Sequence, residues 1–251
     1  MMRKTTILLV DDDQSILRSV AANLRRQDYE VVTASDGLKA LQLMEETLAH
    51  LLVLDVTMPG TNGFEVCKRV REWSTVPIIM LSAVLEEQEK VKSLRLGADD
   101  YLVKSFVIEE FVARIEAVLR RTNQSESLLP EPMFESGELQ INFALRFVTV
   151  AGKEVKMTPT EYSLLSGLAT HEGKVMTHKM LLQQVWGIEY GEEVDYLRVF
   201  VNRLRHKLQD DSSNPKYIRT ETGVGYRFIV EQLQQANAGT ATPSQSTALS
   251  G

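Results

Sequence analysis

The chain has 251 residues, of which 43% are hydrophobic and 25% charged, and its formal net charge is −6. This length allows two domains with separate cores, and the negative charge argues against a protein that coats nucleic acid without selectivity. No apolar run approaches the roughly 20 residues that span a membrane. We therefore expect neither a signal peptide nor an anchor, and a cytoplasmic location.

The first 121 residues alternate strand and helix patterns five times, which predicts one domain over residues 1–121. Short apolar runs predict strands, and apolar residues at helical spacing predict the helices between them. The predicted strands are 7–10, 30–33, 51–55, 77–81 and 101–103, and the predicted helices are 15–24, 37–48, 63–73, 86–96 and 108–121. Short loops and right-handed crossovers then give an α/β fold with a five-stranded, doubly wound parallel sheet.

Residues 122–133 are polar and interrupted by prolines, which predicts a linker to a second domain over residues 134–231. Short alternating runs there predict a small antiparallel sheet, and a strand pair around Gly223-Val224-Gly225 predicts a closing hairpin. Three helices are expected between them, at about 160–170, 178–186 and 194–208. Because 234–251 carry no charged residue, we expect 232–251 to form a disordered tail.

Acidic residues follow two of the predicted strands in the first domain. Asp55 ends the apolar run 51–54, the sequence Asp11-Asp12-Asp13 follows the first strand, and Lys104 follows the last strand. Open α/β sheets carry their sites at the carboxyl ends of strands, and several carboxylates with one ammonium suit a divalent cation beside a phosphoryl group. Alternatively, Asp55 caps a turn, Asp13 caps the next helix and Lys104 is merely solvated.

The third helix of the second domain is strongly basic. Its core-facing positions are Leu197, Val201, Leu204 and Leu208, whereas its polar positions are Arg198, Asn202, Arg205 and His206, with Arg203 flanking them. Arginine can bond guanine and asparagine can bond adenine, so the helix is a candidate for insertion into the major groove of DNA. A solvated basic helix is the alternative.

Motifs in a fixed order resemble those of the OmpR/PhoB family of two-component response regulators. In the first domain they are Val10-Asp11-Asp12, Leu54-Asp55-Val56-Thr57-Met58-Pro59-Gly60, Ser82-Ala83, Gly97-Ala98-Asp99-Asp100-Tyr101 and Lys104; in the second, Thr158-Pro159-Thr160-Glu161 and Gly223-Val224-Gly225-Tyr226-Arg227-Phe228. The resemblance covers about residues 5–228, and the amino-acid sequence of the second domain is most similar to that of the KdpE subgroup. It implies a CheY/flavodoxin-like receiver followed by an α+β winged helix-turn-helix domain that regulates transcription.

For the receiver, the resemblance implies that Asp55 accepts a phosphoryl group from a sensor histidine kinase. Mg²⁺ would be held by Asp12, Asp55 and the backbone carbonyl of Thr57, with Asp11 orienting the cluster from just outside. The residues implied to bind the phosphoryl group and transmit its arrival are Lys104, Ser82 and Tyr101. Apart from hydrolysis of its own acyl phosphate, no enzymatic turnover is implied.

For the output, the resemblance implies contacts to promoter DNA from Arg198, Asn202, Arg203, Arg205, His206, Arg219 and Arg227. It also implies a homodimer on activation, for which opposite charges are available as Lys90 with Glu110, Asp100 with Arg114, and Arg95 with Glu116. A plain solvated face is the alternative. The acidic loop 187–193 lies where family members touch RNA polymerase, and a solvated loop is the alternative.

One position departs from the family pattern, because Ser105 follows Lys104 where a cis proline is usual. A cis bond before serine costs about 2.5–4 kcal/mol, against about 0.5–1 kcal/mol before proline. The sequence leaves open a trans bond with Lys104 aimed differently, or a strained cis bond. It also leaves two other functions open: a regulator of the same fold that acts without phosphorylation, and a phosphatase or transferase that would leave the basic helix unexplained.

Overall fold

In the computed structural model, residues 4–84, 86–123 and 133–229 are described. The first domain alternates five strands with five helices, as the sequence predicts. The strands are β1 (Thr6–Val10), β2 (Glu30–Ala34), β3 (Leu51–Asp55), β4 (Ile78–Ser82) and β5 (Asp100–Val103). The helices are α1 (Gln14–Arg26), α2 (Gly37–Glu46), α3 (Gly63–Arg71), α4 (Glu87–Leu96) and α5 (Ile108–Asn123).

The five strands form a parallel sheet in the order β2-β1-β3-β4-β5, the doubly wound order of flavodoxin-like folds. Strands β1, β3 and β4 are buried along their whole length. Alternate residues of each strand contribute to two cores, with Leu52 and Leu54 facing α2 and α3, and Leu51 and Val53 facing α1 and α5. Burial on both faces explains why these strands are continuous apolar runs.

The second domain begins with a four-stranded antiparallel sheet, β6 (Met133–Ser136), β7 (Leu139–Asn142), β8 (Phe147–Val150) and β9 (Lys153–Glu154). It continues through α6 (Pro159–Ala169), β10 (Val175–Thr177), α7 (His178–Trp186) and α8 (Val194–Leu208) to the hairpin β11 (Ile218–Glu221) and β12 (Gly225–Phe228). Strands β10, β12 and β11 pair in that order to form the wing. Strands β6 and β10 were not predicted, because each has only three or four residues and no sustained alternation.

The predicted linker is described only at its two ends, and the predicted tail lies outside the described residues. Helix α5 continues to Asn123 and β6 starts at Met133, so both ends of the predicted linker 122–133 belong to regular elements. The remainder of that linker and the predicted tail 232–251 lie outside the described residues.

The two domains contact each other along the α4–β5–α5 side of the receiver. Helix α8 packs against α4, and helices α6 and α7 pack against α5. Within the second domain, α6 starts with a capping box, in which the Thr158 hydroxyl accepts from the Glu161 amide and the Glu161 carboxylate accepts from the Thr158 amide. The motif Thr158-Pro159-Thr160-Glu161 therefore fixes the start of the helix on which α8 rests.

Candidate acidic site and nucleic-acid interface

The predicted acidic cluster forms at the carboxyl ends of β1 and β3. These strands are parallel neighbours with Val10 beside Leu54, so their next residues, Asp11 and Asp55, meet at one edge of the sheet. One carboxylate oxygen from each of Asp11, Asp12 and Asp55 lies within 4.8 Å of the others. Asp11 and Asp55 are buried, whereas Asp12 is exposed, so the cluster is open to water on one side. This donor set fits Mg²⁺, which prefers one or two carboxylates and keeps several waters.

Lys104 reaches this cluster from the end of β5. Its ammonium lies 2.8 Å from Asp11 Oδ2 and 3.0 Å from Asp55 Oδ2. Burial raises the pKa of Asp55, and the nearby Lys104 only partly offsets this rise. Burial lowers the pKa of Lys104, but its bonds to the two carboxylates outweigh this and leave its pKa raised. Lys104 is therefore a charged group held directly at Asp55.

The peptide bond between Lys104 and Ser105 is trans, as is every described peptide bond. Of the two alternatives that the sequence leaves open, the trans bond is therefore the one found. The accompanying expectation that Lys104 aims differently is not met, because its ammonium still bonds Asp55.

Ser82 and Tyr101, the two other residues predicted to respond to the phosphoryl group, donate hydrogen bonds to the start of α4 and to the loop before it. Ser82, which ends β4, donates its hydroxyl to Glu89 Oε2 at 3.0 Å. The buried Tyr101 donates its hydroxyl to the carbonyl of Val84 at 2.8 Å, and burial raises its pKa. A change at either hydroxyl would thus act directly on the loop before α4 and on its first turn.

Asp13 does not join the cluster. Its carboxylate accepts from the amides of Ser15 and Ile16 and so caps α1. The Ser15 hydroxyl, followed by the Ser15 amide, lowers the pKa of Asp13. The capping alternative for Asp13 is therefore correct.

The second domain covers part of the predicted dimer face, whereas Arg95, Glu110 and Glu116 are exposed. Asp100 is completely buried and lies 3.6 Å from Arg114 of the same chain, while Glu110 pairs with Arg114 at 2.9 Å. Lys90 lies over the ring of Tyr196, at 4.6 Å from its centroid. Arg95 and Glu116 line two clefts between the domains.

Some predicted DNA-contacting residues are exposed and others are not. Arg198, Asn202 and His206 form an exposed stripe along α8, at spacings of four residues. On the wing, Arg219 is exposed and Arg227 pairs with Glu221 at 2.8 Å.

The expectations for Arg205 and Arg203 need correction. Arg205 is buried and donates to the carbonyl of Ile218 and the hydroxyl of Thr220, so it holds the wing against α8. Arg203 pairs with the buried Glu161 at 2.7 Å and donates to backbone carbonyls of the receiver. Both guanidinium groups are thus used inside the protein.

Two tyrosines near the start of α8 were not singled out from the sequence. Tyr190, from the acidic loop 187–193, and Tyr196, in α8, both donate their hydroxyls to the carboxylate of Asp100. Tyr196 begins the stretch Tyr-Leu-Arg-Val-Phe-Val that resembles the KdpE subgroup, but neither tyrosine was assigned a role. Their only sequence signal is that each is an aromatic residue within a polar stretch.

Among the described residues, no helix has the length and apolar character needed to cross a membrane.

Comparison with known proteins places both domains in described families. Residues 7–116 match the response regulator receiver domain, and residues 152–228 match the C-terminal domain of transcriptional regulatory proteins. The transcriptional regulatory protein KdpE of Mycobacterium tuberculosis is 42% identical over 89% of this chain and 99% of its own. The KDP operon transcriptional regulatory protein KdpE of Escherichia coli is 38% identical over 90% of this chain and 100% of its own.

Comparison with solved structures leads to the same kind of protein as comparison with these sequences. A RitR mutant, in which one cysteine is replaced by serine, superposes with a TM-score of 0.74 at 28% identity, over 90% of this chain and 99% of that one. The two matched domains, the flavodoxin-like sheet order and the helix-turn-helix with its wing thus occur together in one chain. The chain belongs to the OmpR/PhoB family of two-component response regulators, which are DNA-binding transcriptional regulators and not conventional enzymes.

Proposed function

We propose that Asp55 accepts a phosphoryl group from a partner histidine kinase, and that this reaction promotes receiver dimerisation and binding to promoter DNA. The observation that carries the proposal is the position of Asp55, buried at a strand end with the Lys104 ammonium 3.0 Å away. An aspartate can serve as the nucleophile when the charge on the transferring oxygens is neutralised nearby.

Each residue of the cluster has a defined part in this reaction. The Asp55 carboxylate attacks the phosphorus in line with the departing imidazole nitrogen of the kinase. Lys104 turns its ammonium from the two carboxylates towards a phosphoryl oxygen. When bound by Asp12, Asp55 and the Thr57 carbonyl, with Asp11 orienting the cluster, Mg²⁺ would neutralise charge on the transferring oxygens.

Ser82 and Tyr101 then connect the new charge to the face of α4, β5 and α5. The Ser82 hydroxyl exchanges Glu89 for a phosphoryl oxygen, and Tyr101 follows the movement of the loop that carries Val84. Two receivers would dock through this face, with Lys90 and Arg95 opposite Glu110 and Glu116 and with Asp100 opposite Arg114. Exposed pairs contribute only about 0–1 kcal/mol each, so they set the register of the dimer more than its affinity.

Dimerisation raises the effective concentration of the second DNA-binding domain at a paired site. The exposed stripe of α8 would enter the major groove through Arg198, Asn202 and His206, while Arg219 and Arg227 of the wing contact the adjacent backbone. The loop 187–193 would contact RNA polymerase. The acyl phosphate would end by slow hydrolysis on the protein itself.

The test is the intact mass of the protein after incubation with acetyl phosphate and Mg²⁺. We expect the mass of one added phosphoryl group in the parent and none in Asp55→Asn. Asp13→Asn is the matched control, since Asp13 belongs to the same acidic run but caps α1. Two results would contradict the proposal. One is that Asp55→Asn still gains the mass of a phosphoryl group, and the other is that the parent gains none at every Mg²⁺ concentration tested.

A further inference from the structure

A cavity of about 370 Å³ between the two domains takes no part in the proposed phosphorylation or DNA binding. Trp73 and Thr75, from the loop between α3 and β4, line it on the receiver, and Phe147 and Lys156 line it on the second domain. Its volume is within the range of about 300–1,000 Å³ that small-molecule sites occupy. It is separate from the acidic cluster, because α3 begins beside Asp55 and its nine residues carry the chain about 13 Å away before Trp73.

Two aromatic rings at this cavity are exposed to an unusual degree. Trp73 is 49% exposed and Phe147 is 43% exposed. Among the residues that the structure describes, neither ring contacts another aromatic ring. Tryptophan side chains are highly buried on average, and exposed apolar surface gathered around one cavity indicates a binding site.

The loop that carries Trp73 is firmly held although its ring is exposed. The amides of Trp73 and Ser74 donate to the carbonyl of Val70 at 3.2 and 2.8 Å. The Arg71 guanidinium donates to the carbonyls of Ser74 and Val76 at 3.2 and 2.6 Å. The ring is therefore presented from an ordered backbone, which lowers the entropic cost of binding a ligand.

Basic residues lie beside the second exposed ring. The Val155 amide donates to the Val148 carbonyl at 2.9 Å, which continues the pairing of β8 with β9. This register sets Lys156 opposite Phe147, so their side chains are neighbours on one face of the sheet. Lys156 is exposed and forms no ion pair with a described residue, and Arg146 adds a second cation at the cavity.

We propose that this cavity binds a nucleoside monophosphate. The planar base stacks against Trp73 and Phe147, since nucleobases of every kind stack on aromatic side chains. Lys156 and Arg146 hold the phosphate through charge-assisted hydrogen bonds. The acid of the lining, Glu154, accepts a hydrogen bond from the base, which favours bases that carry an exocyclic amino group.

The test measures binding of AMP to the full chain by isothermal titration calorimetry, in EDTA so that no metal occupies the acidic cluster. We expect saturable binding of one AMP per chain. Adenosine lacks the phosphate and ribose 5-phosphate lacks the base, so each should bind at least about tenfold more weakly. IMP carries a carbonyl in place of the amino group and should bind severalfold more weakly than AMP, because the Glu154 carboxylate loses its donor.

Two variants locate the bound AMP. Trp73→Leu should weaken AMP binding about tenfold, because it removes base stacking. Lys156→Gln should weaken AMP binding about fivefold and leave adenosine binding unchanged, because only the phosphate loses a partner. Lys153→Gln is the matched control, since Lys153 is exposed on the same hairpin but alternates to the opposite face of the sheet from Lys156.

A dissociation constant above about 1 mM for AMP would overturn the proposal. An AMP affinity that Trp73→Leu and Lys156→Gln leave unchanged would also overturn it, because the nucleotide would then bind elsewhere. If circular dichroism shows that Trp73→Leu is unfolded, the contrast between AMP and adenosine in Lys156→Gln decides the outcome. No measurement involves a phosphoryl donor, so a failure of Asp55 phosphorylation does not affect the result.

Discussion

Replacing Glu161 should lower the free energy of unfolding of the DNA-binding domain far more than replacing an exposed acidic residue of that domain. The carboxylate is completely buried, pairs with Arg203 at 2.7 Å and Lys207 at 2.6 Å, and accepts from the amide of Thr158 at 2.8 Å. Glu161→Ala removes all three interactions and leaves Arg203, only 13% exposed, without its counter-ion. Breaking a buried ion pair by removing one partner costs about 3–5 kcal/mol.

A loss of this size is a large part of the roughly 5–15 kcal/mol by which domains are stable, and it lowers the Tm of a domain of about 100 residues by about 12 °C or more. Glu161→Gln keeps an acceptor for the Thr158 amide and should cost less, about 2–3 kcal/mol. Urea unfolding followed by Trp186 fluorescence in a Trp73→Phe background measures both losses. Asp195→Asn is the control, because its pair with Arg198 is exposed and contributes about 0.2–0.5 kcal/mol. A loss below about 1 kcal/mol in both Glu161 variants would refute the reasoning.

Three further predictions concern the receiver and its contact with the second domain. Burial raises the pKa of the Cys67 thiol to about 11, so iodoacetamide at pH 8 should alkylate the native protein only as fast as it unfolds; faster modification would contradict that burial. Glu89→Ala should raise the initial rate of Asp55 phosphorylation by acetyl phosphate severalfold, because it frees the Ser82 hydroxyl and removes a nearby negative charge, whereas the exposed Glu87→Ala should not. Burial, followed by the charge of Asp100, raises the pKa values of Tyr190 and Tyr196 well above 10.0. Their contribution to the domain contact is complete below about pH 10 and is lost as the pH rises from there towards the raised pKa values, so the hydrodynamic radius should increase in that range in the parent and not in Tyr190→Phe/Tyr196→Phe.

The receiver and its acidic cluster were predictable because local rules determine them. Buried parallel strands are continuous apolar runs, and the carboxyl ends of neighbouring strands must meet, so Asp11 and Asp55 come together without knowledge of any tertiary contact. The reach of Lys104 was not predictable in the same way, because it depends on the backbone at Ser105. The hydrogen-bond partners of Asp100 could not be predicted from the sequence, since they lie 90 and 96 residues away in the other domain.

The error at Arg203 has a geometric origin that the sequence contains. Successive residues of an α-helix are about 100° apart, so Arg198, Asn202 and His206 span about 80° of its surface, whereas Arg203 lies about 140° from Arg198. Arg203 is seven residues from Tyr196, which places the two on the same side of the helix, and both contact the receiver. The prediction grouped Arg203 with the stripe residues because it is polar and basic, although it lies on a different face of the helix.

Helix α8 therefore has three faces with three partners, and this arrangement links the two domains. One face packs in the core of the winged domain through Leu197, Val201 and Leu204. A second carries the exposed stripe proposed to contact DNA. The third carries Tyr196 and Arg203 and bonds the receiver at Tyr101 and Ala98, next to the residues proposed to respond to phosphorylation. Because these faces belong to one helix, we expect a shift of the receiver surface near Tyr101 to change the position of the stripe proposed to contact DNA, without any change inside the winged domain.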